Sequence, residues 1–221
     1  VIERVSPAIA SRVLEVARAL RPSGLGVGTA GNVSARVEGG FAVTPSGMPY
    51  DALTPGDVVF VAMDGEVPPG QLEPSSEWRI HRDVYAARPD VSGVVHAHPP
   101  CATALACTRR ELPAIHYMIA AAGGSTIRCA EYATFGTEAL SRNALTALEG
   151  RLACLLANHG LLALGGTVEK ALALAVEVEA LADTYLRVLA VGGGVVLSDA
   201  ELERVVELFK GYGTRNREGR G

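Results

Sequence analysis

Lysine is almost missing from this 221-residue chain: Lys170 and Lys210 are the only two. With a formal net charge of −4 and no cluster of lysine or arginine, the chain lacks the basic surface that neutralises phosphates. No nucleic-acid partner is expected. A long apolar run is missing too. The apolar, charge-free stretch from Leu152 to Val168 is broken by Asn158, His159 and three glycines. It falls short of the roughly 20 apolar residues of a spanning helix, so no membrane partner is expected. No apolar secretory core follows Glu3 and Arg4, and the chain reads as cytoplasmic. Cys101, Cys107, Cys129 and Cys154 form no Cys-x-x-Cys pair and sit mostly in apolar runs. They read as buried thiols in a reducing compartment, not as a disulfide framework.

What is present is patterned. An apolar fraction of 48% suits one globular domain over 1–213, followed by a polar, mobile tail over 214–221. Ser6-Pro7 reads as a helix cap ahead of Ile9, Val13, Val16 and Leu20, and Gly24 ends that helix. Strands are expected at Asn32–Val37, Gly40–Thr44, Val58–Met63, Val91–Ala97, Leu152–Ala157 and Leu161–Leu164. Helices are expected from about Ser75 to before Pro89, at Gly136–Leu148 and at Thr167–Leu189. A last helix follows the capping box Ser198 to Glu201. Hairpins such as the one at Glu38-Gly39 do not fit strict βαβ alternation. An α/β fold with a central, mainly antiparallel sheet covered by helices is expected.

The histidines carry the chemistry. His96 and His98 stand two apart at the end of a strand, so their side chains share one face. His159, between Asn158 and Gly160, projects from a second strand junction. An isolated His-x-His is more often surface or satisfied core, but three imidazoles with one oxygen ligand suit a four-coordinate zinc ion. Glu77 can supply that oxygen and act as general base; alternatively it is an acidic first-turn residue facing the helix dipole. His81 reads as a helix-face contact and His116 as support for the ligands. Cys101 reads as a poor competing ligand beside Pro99 and Pro100.

Three small turns could hold an anion. Gly26–Asn32, with Thr29 and Asn32, is glycine-rich but is not read as a nucleotide-binding loop, so neither ATP nor NAD is expected. Thr44-Pro45-Ser46-Gly47 and Ser75-Ser76 add hydroxyls, the latter at an expected helix start. Each alone is most often just a turn. Together they suggest one small phosphate.

Taken in order, GTAGNVS (28–34), TPSGMPY (44–50), PSSEWRIH (74–81), VVHAHPP (94–100), PAIHYMIAAAGG (113–124), YATFGT (132–137) and NHGLLA (158–163) resemble the class II aldolase family. The resemblance also takes in 169–186 and 196–213, nearly the whole chain. It implies a three-layer α-β-α fold and one Zn2+ per subunit, held by His96, His98, His159 and Glu77. Glu77 would also move the proton. Thr29, Asn32, Ser46, Gly47, Ser75 and Ser76 would bind a substrate phosphate. Tyr117 and Tyr212 would assist as catalytic tyrosines, the latter at a site shared between subunits. The resemblance further implies a homotetramer with sites at subunit interfaces and cleavage of a small phosphorylated sugar. No lysine falls in the matching site segments, which argues against Schiff-base chemistry. Epimerases of the same superfamily carry aspartate where Glu77 stands, and the adducin head lacks the metal set.

Overall fold

The structure, a computed structural model, describes residues 5–26 and 29–210. The expected tail over 214–221 and Tyr212 lie outside the described residues. Ser6 caps α1 (Pro7–Leu20), its hydroxyl accepting from the Ile9 N–H. A hairpin of β1 (Asn32–Val37) and β2 (Gly40–Val43) leads to β3 (Val59–Ala62). Then come α2 (Trp78–Ala87), β4 (Gly93–Ala97) and α3 (Pro100–Cys107).

Two residues of β5 (Leu112–Pro113) pair with β6 (Thr126–Ile127) across a 3-10 helix at Tyr117–Ala122. β7 (Cys129–Ala130), α4 (Glu138–Ala147), β8 (Ala153–Leu156) and β9 (Gly160–Gly165) follow. Thr167 caps the long α5 (Val168–Ala190), and α6 (Asp199–Lys210) ends the described chain. At α6 the Ser198 hydroxyl accepts from the Glu201 N–H, as the capping box predicts.

The main sheet has the order β3-β2-β1-β4-β9-β8-β7. Every neighbouring pair is antiparallel except β7 with β8. Alternation along the strands sends side chains to two cores. Val33, Val95, Ala97 and Leu161 pack with Leu14, Leu105 and Val178 of α1, α3 and α5. Phe41, Val94, Leu156 and Leu162 pack with Ile80, Val84 and Leu140 of α2 and α4. Each of the valine, leucine, isoleucine and phenylalanine side chains among them stabilises the fold by about 1.5–3 kcal/mol on burial. The result is the expected helix–sheet–helix sandwich.

Several expectations need correction. α2 starts at Trp78, three residues later than expected, because Ser75 is tied to the neighbouring turn by its N–H on the Thr44 carbonyl. α3 was not foreseen: Pro99-Pro100 reads as a strand stop, yet Pro100 also suits the first helical position, where an N–H has no partner anyway. Only Cys154 is fully buried; Cys107 is exposed and the other two are partly covered. Gly26 to Gly31 does have the spacing G-x-G-x-x-G, but it follows α1 and leads into β1, the reverse of the strand–turn–helix order of a dinucleotide site.

Candidate metal centre

His96 lies on β4 between Val95 and Ala97, which point into the α1–α3–α5 core, so its imidazole faces the opposite side. There it is fully buried. Its Nδ1 lies 2.8 Å from the Leu161 carbonyl of β9. A carbonyl only accepts, so Nδ1 carries a proton and Nε2 is the nitrogen left to face the cluster. His98 follows the strand end, its Nε2 2.8 Å from His96 Nε2.

His159 comes from the β8–β9 turn. Asn158 takes a left-handed φ of 54°, donates its N–H to the Ala106 carbonyl, and accepts from Arg109 Nε at 3.0 Å. These bonds aim the next residue back over the sheet end. A side chain at Gly160 would collide with the Ala97 carbonyl and stand 2.7 Å from His98 Cδ2, so only glycine lets this turn approach β4.

The three rings form a near-equilateral triangle, with centroids 4.7, 4.8 and 4.9 Å apart. Glu77 closes it. It occupies the cap position of α2 but makes no side-chain capping bond, and its carboxylate is turned to the imidazoles instead. Its Oε2 is 3.1 Å from His96 Nε2 and its Oε1 is 3.4 Å from His159 Nε2. Oε1 is buried with no hydrogen-bond partner. One ligand atom from each of the four residues lies within 4.8 Å of the others. Ligands about 2.0–2.1 Å from a tetrahedral ion stand roughly 3.3 Å from one another. The cluster therefore fits a divalent metal.

The charges agree. Burial alone would raise the Glu77 carboxyl, but His96, His159 and the Asn32 amide overcome it and hold the group well below the usual carboxylate range. Burial likewise opposes a charge on His96, yet Glu77 lifts it above its ordinary value. Burial, and then the charge of His96, push His98 and His159 down to about 4. Two of the three imidazoles thus stay neutral, as ligands must.

His81 is not a ligand. It is fully buried beneath the cluster, and burial pushes it down to about 3 against an ordinary 6.5. The folded state therefore binds fewer protons than the unfolded chain below pH 6.5. Stability is full above that value and falls as pH drops from 6.5 towards 3, by about tenfold in the folding constant per pH unit from His81 alone. His98 and His159 act in the same direction, and His96 in the opposite one. Urea midpoints of the metal-free protein should fall from pH 7 to pH 5; a flat profile would contradict the buried, neutral assignment.

Two of the three expected anion turns meet. Pro45 and Pro74 form a bridge, Ser46 N–H donates to the Glu73 carbonyl at 3.0 Å, and Ser75 Oγ accepts from the Glu77 N–H. Ser46, Gly47 and Ser76 are exposed beside Glu77, and Thr29 is exposed ahead of β1. Asn32 differs from expectation: its side chain is buried, with Nδ2 donating to Glu77 Oε2 at 3.1 Å and Oδ1 on His81. Tyr117 is half-exposed, its ring tilted against those of His116 and Phe209, with no described contact to the cluster. His116 caps the 3-10 helix and does not support the ligands. Cys101 is the second residue of α3, donates its N–H to Glu179, and is not in the cluster.

A family model described as "Class II Aldolase and Adducin N-terminal domain" matches residues 11–186. The chain belongs to that family. A 5-methylthioribulose-1-phosphate/5-deoxyribulose-1-phosphate aldolase of Rhodospirillum rubrum is 52% identical over 201 residues, 91% of this chain and 90% of the relative. An L-fuculose phosphate aldolase of Escherichia coli strain K12 is 50% identical over 208 residues, 94% of this chain and 96% of the relative. A solved structure described as L-fuculose 1-phosphate aldolase superposes with a TM-score of 0.91 at 40% identity, covering 95% of this chain and 100% of that one. As a class II aldolase, the chain is an enzyme of the lyase type.

Proposed function

We propose that the chain is a zinc-dependent aldolase that reversibly cleaves a ketose 1-phosphate to dihydroxyacetone phosphate and a short aldehyde. The observation that carries this reading is the meeting of Glu77 with three imidazoles beside two hydroxyl-bearing turns. His96, His98 and His159 would hold the ion through their Nε2 atoms, with Glu77 as fourth ligand before substrate arrives. Bound there, zinc supplies Lewis acidity, polarising the ketose carbonyl and stabilising the negative charge that builds as the C3–C4 bond breaks.

Glu77 is the proton carrier. The C4 hydroxyl loses a proton as C4 becomes the aldehyde carbonyl, and C3 gains one in the three-carbon product. Ser46 and Ser75 give their own N–H groups to Glu73 and Thr44 carbonyls. Their hydroxyls, the N–H groups of Gly47 and Ser76, and Thr29 are then the proposed phosphate donors, whereas the Asn32 amide is committed to Glu77 and His81. Lys170 stands exposed on α5, which agrees with chemistry that needs no Schiff base. Tyr117 is proposed as an active-site tyrosine that assists protonation or orientation, and Tyr212 as one that reaches a site shared with a neighbouring subunit in a cytoplasmic homotetramer. Residues 1–213 are proposed to form a single domain.

L-Fuculose 1-phosphate, cleaved to L-lactaldehyde, is the proposed substrate, on the similarity to the E. coli relative. A 5-deoxyribulose 1-phosphate, or its methylthio analogue, is the second reading, favoured by the R. rubrum relative. Both leave the same phosphorylated fragment and differ only in the aldehyde. A panel of ketose 1-phosphates, with the aldehydes identified, separates them. Release of dihydroxyacetone phosphate should stop with chelator and return with zinc. Chelator-resistant cleavage would reject the metal chemistry. Epimerisation of a pentulose phosphate or loss of water, without any carbon–carbon cleavage, would point to an epimerase or a dehydratase of the superfamily.

A further inference from the structure

Beneath the cluster a ladder of polar groups joins β1 to α2. Asn32 and Ser34, two apart, share one face of the strand; His81 and Tyr85, four apart, share one face of the helix. Tyr85 Oη is 2.8 Å from Ser34 Oγ, Ser34 Oγ is 2.6 Å from His81 Nδ1, and His81 Nε2 is 2.5 Å from Asn32 Oδ1. Asn32 Nδ2 is 3.1 Å from Glu77 Oε2. All five residues are buried.

The direction of every bond follows from the last one. An ionised carboxylate only accepts, so Asn32 must turn its NH2 towards Glu77 and its oxygen towards His81. That oxygen needs a donor, so His81 carries its proton on Nε2. A neutral ring then leaves Nδ1 as an acceptor, so the Ser34 hydroxyl donates to it. Ser34 Oγ in turn accepts from the Tyr85 hydroxyl. Burial keeps the His81 ring neutral, consistent with this polarity.

We propose that His81 is a positioning residue for Glu77: through its Nε2–H it locks the Asn32 amide, which aims an N–H at one carboxylate oxygen and leaves the other free for metal and proton. Without that lock the amide can flip, presenting its oxygen to the carboxylate and repelling it. Tyr85 and Ser34 set the tautomer, and Arg36, with its guanidinium 4.8 Å over the Tyr85 ring, covers the far end. The inference rests on the proposed role of Glu77.

The test uses the metal-loaded full chain. His81→Phe removes the donor, whereas His81→Gln keeps an N–H facing Asn32. The phenylalanine variant should lose about 10–100-fold in kcat with KM changed by no more than about twofold, as losses of supporting hydrogen bonds do. The glutamine variant should recover most of the rate. Equal losses in both, or a lower Tm with kcat unchanged, would overturn the positioning role.

Should neither variant fold, 15N NMR of the histidine-labelled native chain still decides: His81 should be the Nε2–H tautomer. An Nδ1–H or doubly protonated ring would overturn the chain. Glu77→Gln run alongside separates the two claims. Inactive Glu77→Gln with fully active His81→Phe removes the ladder and leaves the base, whereas active Glu77→Gln removes the base itself.

Discussion

Replacing Glu77 by glutamine is expected to lower kcat by about 10²–10⁴-fold, the range that a positioned acid–base group supplies. Glutamine has the same length and shape, keeps an oxygen for Asn32, and should leave α2 and the sheet intact. What it removes is the negative charge between His96 and His159 and the site where a proton can rest. Circular dichroism should be unchanged while release of dihydroxyacetone phosphate falls. Wild-type turnover in this variant would remove Glu77 from proton transfer.

Replacing His159 by alanine is expected to weaken metal binding by more than the 10–100-fold that changes in supporting residues cause. The position suits the test because the turn does not depend on the imidazole. Asn158 holds the left-handed conformation, and Gly160 makes the close approach to β4. The ring itself is mostly covered, with 13% of its side chain exposed, and its loss opens space towards solvent without emptying the core. The metal-free variant should therefore melt close to the native metal-free protein. Cleavage should disappear with the metal.

The sequence was a good guide wherever the pattern is local. Ser6 and Ser198 act as the helix caps their spacing predicts, and the hairpin at Glu38-Gly39 forms with the expected strands. The i, i+2 spacing placed His96 and His98 together because strand geometry requires it. That His159 and Glu77 join them depends on long-range pairing: β4 lies against β9, and the Pro45–Pro74 bridge brings the segment before α2 to the sheet end. Family resemblance supplied that convergence; periodicity could not.

Hidden from sequence reading were the groups that orient others. Asn32 looked like a phosphate donor because its turn is glycine-rich, yet burial commits its amide to Glu77 and His81. His81 looked like a helix-face contact only, although Asn-x-Ser on a strand and His-x-x-x-Tyr on a helix are patterns that can be matched once those elements are known to pack. Arg109, with a left-handed φ of 57°, gave no sequence signal for its bond to Asn158. Its role follows only from the three-dimensional turn.

Elemental analysis of the chain purified without added metal, with His159→Ala prepared in parallel, tests the proposed centre most directly. One equivalent of zinc per native subunit, and little in the variant, is the predicted result. Equal metal content in both proteins, or none in the native chain even after incubation with zinc, would contradict it.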